Sequence, residues 1–486
     1  MSPEAILITL AAYLVLLFLL ARRRAEGADN ATFFIGGRRT SWYAATLAMI
    51  GAAMSGVTFI SVPGSVAADS FSYMQMVIGF TIGQLIVAFI LVPIFYRRGV
   101  VSLYEWLDMR FGLTTHRTGA WCFMVAKVIG AALKIYVVCS VMQILVFDHF
   151  NISFTINVLF TLLVVWLYTR TGGVRSLIAT DILQSLCLVA SIIVCIWAIC
   201  HRMDLSLGAA VDSVISSPYS QMWFFDDHSS SRYFWKMVAG GALCLVAMTG
   251  LDQDMMQRNM SCRTMRGSQT NIILTAICQA IVILLFLSLG ALIYRYIDFA
   301  ALPAPARGDD AFPLAATQGG LPVVAGVMFV IGLISSTYSA AGASLTALTT
   351  AFTIDIMDGR KRYDEASLTR LRHRTHIVMA AILFVVILVF KHLASDSIIN
   401  LVFKVAGYTY GPILGMFVFG MISRRNIRQK AVPAIALLSP IMSYILQWVA
   451  AEKFGYHIGF ELLGYNALFT IFGFYFASTQ NKNKNE

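Results

Sequence analysis

Between Gly332 and Thr353 the chain reads GLISSTYSAAGASLTALTTAFT, apolar enough to cross a bilayer and free of charge. In hydrocarbon such a run satisfies its backbone by forming a helix. Yet it carries nine Ser and Thr hydroxyls. Ser335, Ser339, Thr346, Thr350 and Thr353, spaced by 4, 7, 4 and 3, fall on one helix face. Two readings stand side by side. Small residues permit close helix packing, each hydroxyl bonding back to a carbonyl of its own helix. Hydroxyls are also hard ligands that, with backbone carbonyls, replace the hydration shell of a small cation.

The rest of the chain narrows the class. Of its 486 residues 58% are hydrophobic and 13% charged, against about 25% charged in soluble proteins. We expect an all-α polytopic membrane protein with about 13 transmembrane helices. The spans are read at 3–21, 40–67, 72–96, 117–147, 152–168, 176–200, 232–257, 268–296, 320–352, 375–392, 396–421, 431–451 and 460–478. The first has no basic residue before it and three arginines after it, the reverse of a signal peptide. A net charge of +11 invites thoughts of nucleic acid. However, 26 of the 36 Lys and Arg residues lie in one alternating set of loops and seven in or beside the other. That asymmetry reports orientation: N-terminus outside, C-terminus cytoplasmic, in the cell (inner) membrane. No nucleic-acid partner is expected. The eight cysteines show neither CxxC nor Cys/His spacing and read as buried thiols.

Two spans are interrupted in the same way. The second contains IGAAMSGVTFISVPG, with Gly51, Gly56, Pro63 and Gly64; the seventh contains VAMTGLDQDMMQR, where Thr249-Gly250 precedes Asp252 and Asp254. Broken helices at matching positions of two halves point to inverted repeats around a midplane site. The expected division is a leading helix and cytoplasmic loop (1–39), a first five-helix repeat (40–201), an extracellular loop (202–231), a second repeat (232–422), and two trailing helices with a cytoplasmic tail (423–486). Three of the charges inside spans stand out. Asp181, about one and a half turns into its helix, calls for a cation partner, with Arg175 as the interfacial candidate. Lys127 and Lys134 lie seven residues apart on similar faces of the fourth span. They serve either an anionic substrate or a structural pairing. No HExxH, GxSxG or Walker-type loop accompanies them, so no enzyme is expected.

Four stretches carry a family resemblance: AAMSGVTFISVPGS (52–65), GGVRSLIATDILQ (172–184), SSTYSAAGASLTALTTAFTIDI (335–356) and AGYTYGPILGMFVFGMISRRN (406–426). Over roughly residues 30–425 the chain resembles the sodium:solute symporters, which include bacterial sugar, proline and sialic acid symporters. The resemblance implies the leucine-transporter-type fold, a 5+5 inverted-repeat core working as a monomer, with Na+ as the coupling ion. It also implies a sodium site made by the carbonyls of Gly51, Met54 and Gly332 and the hydroxyls of Ser335 and Ser336. A second sodium site, found in some members, maps onto Asp181, Ser335 and Ser339, with Tyr338 where those members carry another serine. Substrate positions map onto Ser55, Thr58, Phe71, Gln75 and Thr249. The asparagine of sugar-binding relatives has no match at Ala53, nor their paired aromatics at Met248-Thr249. Relatives of the sialic acid type hold a carboxylate with an arginine in the fourth span; Gly130 stands near that place, with Lys134 one turn away and Lys127 as the alternative. A sodium-coupled importer of a small organic anion is therefore the leading expectation. Import of a sugar or other neutral solute, or proton coupling through Asp181, remains open beside it.

Overall fold

The computed structural model describes residues 3–25, 29–100, 102–170, 173–393 and 398–479. The tail NKNKNE, assigned to the cytoplasm, and Gly172 of the second family stretch lie outside these residues. Helices dominate. Among the described residues eight are long and apolar enough to span a bilayer, or eleven if each of three bent pairs is one span. Phe154–Thr169 and Leu462–Phe476 are shorter apolar helices.

The first bent pair is Trp42–Ala53 and Gly56–Gly64, which meet at 58°. The break falls at Met54-Ser55, where both residues have extended backbone. Pro63 and Gly64, read as part of the interruption, continue the second segment. The second pair is Phe234–Gly250 with Gln253–Met260, at 67°. Here helix persists through Thr249-Gly250 as a widened turn and stops at Leu251. Asp252 then caps the next segment, its carboxylate accepting from the Asp254 and Met255 amides. The third pair, Leu401–Thr409 and Gly411–Ile422, bends by 45° at Tyr410, within a stretch whose uniform apolarity reads as one straight span.

Packing follows from side-chain size. Tyr73–Ile86 and Phe234–Leu245 cross so closely that a Cβ on Gly79 would stand 2.2 Å from the Val238 carbonyl oxygen. One on Gly241 would stand 2.6 Å from that of Met76. Only glycine lets these backbones approach so closely. The long helix Val323–Ala351 runs through the interior, and all nine hydroxyl residues from Ser335 to Thr353 are buried. Large apolar side chains such as Phe89, Ile156, Trp197 and Leu437 point outward, as a lipid-facing surface requires.

Candidate functional site

The break at Met54-Ser55 frees the carbonyls of the last helical turn, Gly51 to Met54, from the i to i−4 ladder. Ser185 of the helix Gly173–Arg202 steadies this turn. Its hydroxyl accepts from the Gly51 amide at 2.7 Å and stands 2.5 Å from the Leu47 carbonyl oxygen. The 56–64 segment starts against the hydroxyl-rich helix: a Cβ on Gly56 would lie 2.6 Å from Thr337 Oγ1 and 3.5 Å from Ser336 Oγ. Ser335 Oγ donates to the Gly332 carbonyl and Ser336 Oγ to the Leu333 carbonyl, each at 3.0 Å. These back-bonds match the packing reading of the hydroxyls. They leave the oxygens' lone pairs available to a cation, so the two readings are compatible.

Beside this break a cavity opens between the two broken spans. Ser55, Thr58, Lys127, Lys134 and Thr249 line it, as do Gly130 and Asp252. A Cβ on Gly130 would meet nothing within 4 Å, so the fourth-span helix Leu113–Met142 is open to the cavity at that point. Phe71 and Gln75 are elsewhere. Both are buried, and Gln75 is occupied with the outer loop. Its Nε2 donates to the Arg232 carbonyl at 2.9 Å and its Oε1 accepts from the Phe224 amide at 3.0 Å. The Phe71 amide donates to the Gln221 carbonyl at 3.1 Å. Farther along the same helix Phe80 and Gln84 reach the cavity, and Gln84 Nε2 donates to Gln279 Oε1 at 2.9 Å.

The two lysines separate sharply. Lys127 is buried and committed: its Nζ lies 3.1 Å from both carboxylate oxygens of Asp252 and 2.6 Å from Asp254 Oδ2. Tyr410, at the third bend, donates its hydroxyl to Asp252 Oδ2 at 2.5 Å. Lys134 is half-buried in the cavity wall. Among the described residues it makes no hydrogen bond or ion pair, although it feels the charges of Lys127, Asp252 and Asp254.

Asp181 has its cation partner, and it is Arg258. The guanidinium Nε donates to Asp181 Oδ2 at 2.9 Å, while Nη1 donates to Asp254 Oδ1. Arg175, the sequence candidate, is exposed. Arg258, which in sequence stands close to the basic residues Arg263 and Arg266, is 2% exposed. Its spacing from Asp254, four residues along one helix, suits a pair between them but does not by itself say that the pair faces inward. Asp181, Arg258, Asp254, Lys127 and Asp252 thus form one buried ionic chain ending at the cavity.

Two helices broken at matching places around such a cavity define the architecture of a secondary transporter. The chain belongs to the sodium:solute symporter family, whose model matches residues 33–436. It is 25% identical over 425 residues to the human (Homo sapiens) sodium/iodide cotransporter, covering 83% of this chain and 62% of that one. It is 25% identical over 403 residues to sodium-coupled monocarboxylate transporter 1 of Mus musculus, covering 80% of this chain and 64% of the relative. The chain therefore spans less than two thirds of either relative. Its fold is similar to the substrate-bound outward-open state of a Na+-coupled sialic acid symporter. The TM-score is 0.80 at 19% identity, covering 98% and 99% of the two chains.

Proposed function

We propose that this protein is a sodium-coupled symporter that imports a small organic anion, a carboxylate or sialic-acid-like solute, by alternating access. The observation that carries this reading is Lys134. Its ammonium lines the cavity between the broken helices and among the described residues makes no hydrogen bond or ion pair, while Lys127 beside it is fully paired. A half-buried cation without a counter-charge is costly, and an anionic solute supplies one. The relatives support the same sign of charge, since iodide, monocarboxylates and sialic acid are all anions. Ser55, Thr58 and Thr249 would orient the solute by hydrogen bonds.

Sodium would be held by the carbonyls of Gly51, Met54 and Gly332 with the hydroxyls of Ser335 and Ser336. The freed carbonyls at the first break and the 3.0 Å spacing of Ser335 Oγ from the Gly332 oxygen suit a neutral oxygen shell. The proposed repeats are 40–201 and 232–422, working as a monomer in the cell (inner) membrane with the N-terminus outside. Proton coupling through Asp181 is disfavoured by its pairing with Arg258.

The test is uptake into proteoliposomes of radiolabelled lactate, N-acetylneuraminate and glucose, under an inward sodium gradient and under choline. Sodium-dependent uptake of one of the anions is expected. Sodium-dependent uptake of glucose alone, or equal uptake in choline, overturns the reading.

A further inference from the structure

Three arginines far apart in sequence, Arg39, Arg175 and Arg263, line one groove. All three lie in or beside loops that the charge asymmetry assigns to one face of the membrane. Backbone bonds force two of them together. The Thr40 amide donates to the Ser261 carbonyl at 3.1 Å, and the Arg263 amide donates to the Thr40 carbonyl at 3.2 Å. Arg263 Nε also donates to the Arg39 carbonyl at 3.1 Å. The third arrives through Gly36, which at φ 64° seats its turn against the helix Gly173–Arg202; an added Cβ there would stand 3.4 Å from Val174 Cγ1. Arg39 and Arg175 are exposed, and among the described residues their side chains make no hydrogen bond or ion pair.

Like charges gathered in this way repel one another unless an anion joins them. Asp29 also lines the groove, but its carboxylate already accepts from the Thr32 amide at 2.8 Å. Three guanidiniums against one carboxylate leave +2. Beyond the arginines the wall turns apolar. Tyr43, Ile178 and Ile182 line it, and Tyr43 and Trp42 are both exposed, as aromatic rings are where a bilayer meets water. From Arg175 to Ile182 the helix advances about 10 Å, well into a leaflet whose hydrocarbon is about 15 Å deep. A soluble anion would use the arginines alone. A phosphate carrying an acyl chain uses both parts of the groove, and guanidiniums match phosphate oxygens in bidentate pairs.

We propose that this groove binds an anionic phospholipid of the adjacent leaflet, its phosphate held by Arg39, Arg175 and Arg263 and an acyl chain laid along Tyr43, Ile178 and Ile182. The lipid ties the start of the first broken span, Trp42–Ala53, to the turn after Met260 and to the helix Gly173–Arg202. A net +2 beside an anionic lipid corresponds to roughly a 30-fold preference over a zwitterionic one.

Native mass spectrometry of the purified full-length protein in detergent tests this, with titrations of phosphatidylglycerol, phosphatidylcholine and inorganic phosphate. The tightest phosphatidylglycerol, one per chain, should bind roughly 30-fold more strongly than phosphatidylcholine, and millimolar phosphate should not displace it. The triple variant Arg39→Gln, Arg175→Gln, Arg263→Gln should lose that preference. The double variant Arg97→Gln, Arg98→Gln, which removes two exposed arginines of another loop, should keep it. Where the triple variant does not fold, Arg175→Gln alone should weaken phosphatidylglycerol roughly fivefold. Equal binding of the two lipids, or a preference that survives these substitutions, overturns the proposal. Displacement by phosphate makes the groove a site for a soluble anion and overturns it as well.

Discussion

Replacing Lys134 by methionine separates recognition from architecture. Among the described residues the ammonium makes no hydrogen bond or ion pair, so its loss breaks none of the described pairs and the helix should keep its packing. What disappears is the positive end of a charged contact to the solute, worth about 1.5–3 kcal/mol. At about 1.4 kcal/mol per tenfold, KM for an anionic solute should rise roughly 10- to 150-fold. Lys127→Met should behave in the opposite manner. It leaves Asp252 without a cation and Asp254 with Arg258 alone, both carboxylates lying within 3.1 Å of Nζ, and breaking such a buried pair costs about 3–5 kcal/mol of stability. Uptake kinetics in proteoliposomes and thermal melting of the purified variants read the two effects independently. An unchanged KM in well-folded Lys134→Met would refute the assignment of the solute's negative group. A wild-type melting curve for Lys127→Met would refute the account of the ionic chain.

Two further substitutions probe the rest of the site. The double variant Ser335→Ala, Ser336→Ala should raise the sodium concentration for half-maximal uptake at least tenfold, because a methyl cannot ligate a hard cation; unchanged sodium dependence would remove both hydroxyls from the ion site. Gln75→Ala should loosen the 221–232 loop, seen as faster proteolysis there, while KM stays within about twofold, as expected of a residue that holds the loop by backbone hydrogen bonds.

Much of the fold was legible because hydrocarbon imposes simple rules on sequence. Long uncharged runs gave the helices, and glycine-rich interruptions gave two of the three bends. The bend at Tyr410 was hidden because GYTYGPILG keeps its hydropathy through the turn. At the site, Ser55, Thr58, Thr249 and the two lysines come together around one cavity. Phe71 and Gln75 do not, because Ser65 to Ser72 is spent on a short turn of helix and a loop before the next span begins at Tyr73. Arg258 was hidden by its neighbourhood. It lies close to Arg263 and Arg266 in sequence, so its charge reads as orientation, yet the segment after the second break folds inward and carries it to Asp181. Counting charges by loop cannot see a helix that re-enters the protein.

The hydroxyl-rich helix has a mechanical consequence. Ser335, Ser336, Thr337, Thr349 and Thr350 each hydrogen-bond a carbonyl three or four residues back in the same helix. Their polarity is satisfied within one rigid body, with few bolts to its neighbours, chiefly Ser339 to Asp181 and Thr349 to His376. When neighbouring helices shift past such a surface, these five bonds travel with it and none of those five donors is stranded on the way. The face works as a greased bearing, polar in composition but dry in behaviour, along which a carrier can rock at little cost in hydrogen bonds.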